Sequence, residues 1–268
     1  MLESPQSGSR DHEVPPDDSD FELASSAFSA LSQPNVSEAI NVTAAHVLAL
    51  HDAALNLLAE SFVPVLEAMH ADRITDQQIA DHYLPAVARQ LGEEWCDDQK
   101  SFAEVTIGVA RLQRLLHDLG PEWRADVTDD GAAPAVLLLT GPSADHTFGA
   151  KIIAGQLRRH GLSVRLAVGL RPDQVTSLIT TAPFDAVMIS ASPAESLAAL
   201  RGIVNALKAG DSRGPPIVIG GGICASGTDI KTATGADYVT SDIGEAIRLC
   251  GLQVRNQNQT IQSKRDKS

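Results

Sequence analysis

Residues 135–168 read AVLLLTGPSADHTFGAKIIAGQLRRHGLSVRLAV, and this stretch decides the fold. The opening run, AVLLLT (135–140), is too short for a buried helix and long enough for a strand covered on both faces. A polar loop follows, then GAKIIAGQLRRHG (149–161) with apolar residues at helical spacing, then a second apolar run, SVRLAV (163–168). Strand, helix and strand joined by short loops make a βαβ unit, whose crossover is right-handed and whose strands are parallel.

Working toward the C-terminus, the alternation persists. DAVMIS (185–190), PIVIGG (216–221) and DYVTS (237–241) read as further strands. Helical patterns lie between and after them in 171–182, 194–210, 229–234 and 243–251. Strict alternation predicts an α/β fold with a Rossmann-like, flavodoxin-like parallel five-stranded sheet over 134–252. Arg158, Arg159 and His160 end the first crossover helix and read as a solvated terminus, where cations favour the helix dipole.

Toward the N-terminus the period changes from two to 3.6. Across 47–69, VLALHDAALNLLAESFVPVLEAM places Leu48, Ala49, Leu55, Leu58, Ala59 and Phe62 in an apolar stripe. Thr75-Asp-Gln-Gln has the form of a helix start ahead of Ile79 and Tyr83. Two more helices follow, QIADHYLPAVARQLGEEW (78–95) and SFAEVTIGVARLQRLLHDLG (101–120), so 42–124 is expected to be a bundle of four or five helices. RADVTDDGAAP (124–134) has linker composition. Residues 1–41 are expected to be a disordered acidic tail, with FELASSAFSALS (21–32) as a docking or folding-back element inside it, and 253–268 a flexible polar tail.

Composition bounds the function. A net charge of −13 argues against a broad phosphate- or lipid-binding face. Cys96, Cys224 and Cys250 are far apart, without a CxxC pair, which fits reduced thiols and no structural zinc. An N-terminus without an apolar segment, and no run long enough to span a bilayer, make the cytoplasm the expected location.

In a doubly wound sheet, ligands sit at the carboxyl ends of the strands. His146 falls there, with Thr147, Phe148 and Gly149 after it; so do Ser190 and Ser192 past the third strand and Gly220, Gly221 and Gly222 past the fourth. An imidazole in that loop can ligate a metal, act as a general base or contact a phosphate. There is no Gly-x-Ser-x-Gly elbow and no paired acid, base and nucleophile, so the chain is not expected to be an enzyme.

His146-x-x-Gly149, the serines of SAS (190–192) and the GGG of 220–222, in a sheet preceded by a helical bundle, resemble the cobalamin-binding module. LGEEWCDDQKSFAEVTIGVARLQRLL (91–116) resembles the helical cap of that module. The resemblance covers 45–250 and implies that His146 is the lower cobalt ligand. It further implies that the serine and glycine loops line a slot for the displaced nucleotide tail, and that Trp95 and Glu104 belong to the cap side of the site. Two departures stand out. Ala144 occupies the position where the family carries an acid, and Val105 and Thr106 stand where the light-sensing repressors carry Glu-His, leaving His51, His82 or His117 as the bundle imidazoles that could reach the site.

With no helix-turn-helix ahead of the bundle, the chain is similar to the AerR/PpaA family. That resemblance implies a light-responsive antirepressor that holds aquo-, hydroxo- or adenosylcobalamin and acts on a photopigment-gene repressor of the CrtJ/PpsR type. A corrinoid carrier in methyl transfer and a haem-binding sensor are the alternatives on the same scaffold.

Overall fold

The computed structural model describes residues 42–56, 61–123, 133–141, 147–193, 195–209 and 214–253. The expected leader, with its amphipathic segment, and nearly all of the expected C-terminal tail lie outside these residues.

The N-terminal half is helical: α1 (Ala44–Leu55), α2 (Val63–Ala71), α3 (Asp76–Gln78), α4 (Leu84–Cys96) and α5 (Phe102–Leu119). The helical pattern of 47–69 is divided between α1 and α2, with a turn at Ser61 and Phe62 and Pro64 in the first turn of α2, where a missing N–H costs nothing. Thr75 opens α3 with a full capping box, its hydroxyl accepting from the Gln78 N–H while the Gln78 side chain accepts from the Thr75 N–H. Between α3 and α4 the chain widens into a π turn, Ile79–Tyr83. Pro85 lies two residues beyond it, and its ring cannot pack against an ordinary α turn, so the widened turn absorbs the conflict. Leu50, Met69, Ile79, Leu84, Leu91, Leu112 and Leu116 form the bundle core.

After a 3-10 turn at Pro121–Trp123 come β1 (Ala135–Thr140), α6 (Thr147–Arg159), β2 (Ser163–Ala167), α7 (Pro172–Thr181), β3 (Ala186–Ser190) and α8 (Leu197–Lys208). β4 (Ile217–Gly220), α9 (Ile230–Thr234), β5 (Tyr238–Val239) and α10 (Ile243–Leu249) complete the chain. The strands form one sheet, all pairs parallel, in the order β2-β1-β3-β4-β5. Burial explains why β1, β3 and β4 carry no polar alternation. Leu137, Leu139, Val187 and Ile189 face α7 and α8, while Val136, Leu138, Ala186 and Met188 face α6 and α10.

Arg158 and Arg159 correct the reading of a solvated helix end. The Arg158 guanidinium donates to the carbonyls of Glu122 (2.8 Å) and Val164 (3.0 Å), and Arg159 pairs with Asp81 of the π turn, whose side chain is only 7% exposed. Their partners come from other elements, which spacing along one helix does not reveal.

Candidate functional site

The strand order reverses between β1 and β3, because β1 leads to β2 on one side and β3 continues on the other. A crevice opens at the carboxyl ends of the strands at such a point. Next to that point, a cleft lies between the tips of β3 and β4 and the start of α10. Leu138, Ile153, Met188, Val218, Ile243 and Ala246 make its apolar walls. Ser190, Gly220, Gly221 and the turn Thr240–Asp242 form its rim.

The rim is built by backbone approaching backbone. Ala191 N–H donates to the Gly220 carbonyl at 2.9 Å, Ile223 N–H to the Ala191 carbonyl at 3.2 Å, and Thr240 N–H to the Ile219 carbonyl at 3.1 Å. A Cβ on Gly220 would lie 2.7 Å from the Thr240 carbonyl oxygen. One on Gly221, which has φ +93°, would lie 2.6 Å from the Ala191 carbonyl oxygen. These two glycines are therefore demanded by the neighbouring loops themselves, whatever the cleft holds. Gly222 is buried and opens the 3-10 turn Gly222–Ala225.

The cleft brings Ser190, Gly220 and Gly221 together, as the strand-end argument expects. Ser192 is 1% exposed, and its Oγ finds no hydrogen-bond partner among the described residues. Thr147, Phe148 and Gly149 form the first turn of α6, with Phe148 buried in the bundle core. His146, the expected cobalt ligand, lies outside the described residues. Trp95 and Glu104 sit at the α4–α5 junction. Trp95 packs at 6.3 Å against Phe102, a half-exposed side chain. The Glu104 carboxylate accepts from the Ser101 N–H and hydroxyl in a capping box, contacts that hold it below the usual carboxylate range. Both ring nitrogens of buried His51 are occupied, Nε2 by Glu94 at 2.7 Å and Nδ1 by Asp52 at 3.3 Å.

Two features escaped the sequence reading. Thr240, Ser241 and Asp242 complete the rim, and the strand-end rule that selected Ser190 and Gly220 would have found them had it been applied to the fifth strand. Thr240 and Asp242 are partly committed to the start of α10, Thr240 Oγ1 donating to Glu245 at 2.5 Å and Asp242 accepting from the Glu245 N–H at 2.6 Å. Glu195 is a buried carboxylate, 7% exposed, lying where a Cβ on Gly141 at the end of β1 would be. Burial raises the Cys224 thiol, which packs against the core beneath the glycine turn and stays protonated near neutrality.

Apolar walls with a few rim hydroxyls suit a flat, weakly polar heterocycle better than a phosphate, which would want cationic or N–H donors. The nucleotide base of cobalamin has that character, so the residues fit the tail of such a cofactor. Among the described residues no group of three or more His, Cys, Asp or Glu is placed to hold a metal ion. No described helix is long and apolar enough to cross a membrane.

Comparison with known proteins agrees. The B12-binding domain family model matches residues 134–248. An uncharacterized 20.5 kDa Rhodobacter capsulatus protein in the bchF-crtJ intergenic region is 34% identical over 183 residues, 68% of this chain and 95% of that protein. The monomethylamine corrinoid protein of Methanosarcina barkeri superposes with a TM-score of 0.56 at 14% identity, covering 75% of this chain and 94% of that one, a likeness of fold alone. Haem finds no support in these matches. Residues 134–248 are a B12-binding domain, and the chain belongs to one family with the Rhodobacter capsulatus protein of the bchF-crtJ region, in line with the AerR/PpaA resemblance.

Proposed function

We propose that this protein is a cobalamin-dependent, light-responsive regulator that acts as an antirepressor on a protein partner of the CrtJ/PpsR type, without a DNA-binding motif of its own. The observation that carries the reading is the relative in the bchF-crtJ intergenic region, similar along nearly its whole length. Bound alkylcobalamin supplies a photolabile cobalt–carbon bond. The chain's own residues do the rest. His146, the residue before α6 in the sequence, would ligate the cobalt, and the cleft rimmed by Ser190, Gly220 and Gly221 would take up the tail. Trp95 and Phe102 offer an apolar surface on the bundle. A net charge of −13 suits contact with a partner protein better than contact with nucleic acid. Occupancy biases the partner-binding form only through a difference in affinity between two conformers, typically about 1–3 kcal/mol.

The test is an absorption spectrum after incubation with adenosylcobalamin, dark and illuminated, followed by gel filtration with and without a CrtJ/PpsR-type repressor. Retained corrinoid colour that is lost in His146→Ala, with co-elution of the repressor, supports the reading. A colourless protein refutes cobalamin binding. Colour without co-elution, together with methyl transfer when a methyltransferase is supplied, makes it a carrier instead.

A further inference from the structure

Helix α6 belongs to both halves of the molecule. Its first turn follows His146 directly in the chain, and Phe148 and Ile152 are buried in the bundle core. The helix has 13 residues, so its first residue lies about 18 Å, at 1.5 Å per residue, from Arg159. There Arg159 pairs with Asp81 and stacks at 4.9 Å over the Trp123 ring. Gly155 makes the notch that admits the indole, since a Cβ at 155 would overlap it.

The two ends of α6 are held by different physics. The Phe148–Ile152 end is apolar and packed. The Arg159 end is polar and incompletely satisfied: Trp123 Nε1 and Arg159 Nη1 are buried and find no acceptor among the described residues. Asp81 is drawn up from the ordinary carboxylate range by burial, against the lowering effect of Arg159. It also sits in a π turn, an irregular helical turn of a kind frequent at functional sites. A partly buried pair with unsatisfied neighbours gains hydration when it parts, which lowers the free-energy cost of opening.

We propose that the joint between bundle and sheet is a hinged latch: α6 stays anchored through Phe148 and Ile152 while Asp81, Arg159 and Trp123 part and close as a unit. The helix that starts at the candidate ligand thereby carries cofactor occupancy to the bundle. This second statement rests on the proposed function; the latch itself does not.

Native-state hydrogen exchange of the full chain tests both. In Asp81→Asn without cofactor, segments 79–83, 121–123 and 155–159 should exchange at least about tenfold faster, while 148–152 and 136–139 stay within about twofold of wild type. Arg159→Lys, which keeps the charge but loses the planar stack, should show the same local pattern at smaller amplitude. Uniform acceleration, no acceleration, or unfolding of both variants overturns the latch. Hydroxocobalamin added to the wild type should change exchange in 79–83 and 121–123 by at least about threefold. Retained cofactor with an unchanged seam overturns the transmission, whereas failure to retain cofactor with a latch still seen in the variants sinks only the functional reading.

Discussion

Replacing Gly221 by alanine is expected to lower the melting temperature by about 5–15 °C, at about 2–4 °C per kcal/mol for a chain of this size. At φ +93° and ψ −168° the residue lies where side chains are strained by about 1–3 kcal/mol. The added Cβ would also meet the Ala191 carbonyl oxygen at 2.6 Å and its nitrogen at 3.1 Å, backbone atoms that cannot rotate away. Relieving that overlap breaks at least one rim hydrogen bond, Ala191 N–H to Gly220 or Ile223 N–H to Ala191, at about 1 kcal/mol net. The sum is about 2–4 kcal/mol. Gly227 is the control: its φ is +71° but no atom lies within 4 Å of a Cβ there, so Gly227→Ala carries only the left-handed strain of about 1–2 kcal/mol. Thermal melts followed by far-UV circular dichroism, both variants beside wild type, make the comparison. Equal losses would refute the reasoning, because the close approach of the β3 and β4 loops would then contribute nothing.

Other outcomes follow from the same geometry. Ser190→Leu pushes a branched side chain into the rim and should weaken cobalamin retention at least about tenfold in equilibrium dialysis, with little change in melting temperature. The Ser101 hydrogen bonds hold the folded-state pKa of Glu104 below the ordinary carboxylate value, so its contribution to stability is present above that ordinary value and disappears as pH falls through the lowered one. The melting-temperature gap between wild type and Glu104→Gln should accordingly be widest near neutrality and close on acidification. Of the three thiols, exposed Cys96 should react first with a disulfide reagent at pH 8. Cys224, raised by burial, and Cys250, pushed up to about 11 by burial and Asp237, should react only after denaturant is added.

Much of this architecture was legible because it is local. AVLLLT, DAVMIS and PIVIGG announce strands buried on both faces, and the helical patterns between them force parallel crossovers, whose carboxyl ends locate Ser190, Gly220 and Gly221 before any coordinate is known. Thr75 and Gln78 specify a helix start within four residues, and the structure forms that box. The π turn at 79–83 was not legible, since Pro85 signals a disturbance without saying whether the helix will kink, end or widen.

The sequence by itself determined the class of fold, the edge of the sheet where folds of this kind place a ligand and the kinship with B12-binding domains, because periodicity, turn chemistry and short motifs are written along the chain. Only the tertiary structure decided that Gly221 is required by Ala191, that the turn 240–242 closes the cleft, and that Arg159 is not a solvated helix end but half of a buried pair with Asp81, 78 residues away. Such partners are chosen by packing between elements, and the spacing of residues within one element carries no record of which side chain will arrive from another.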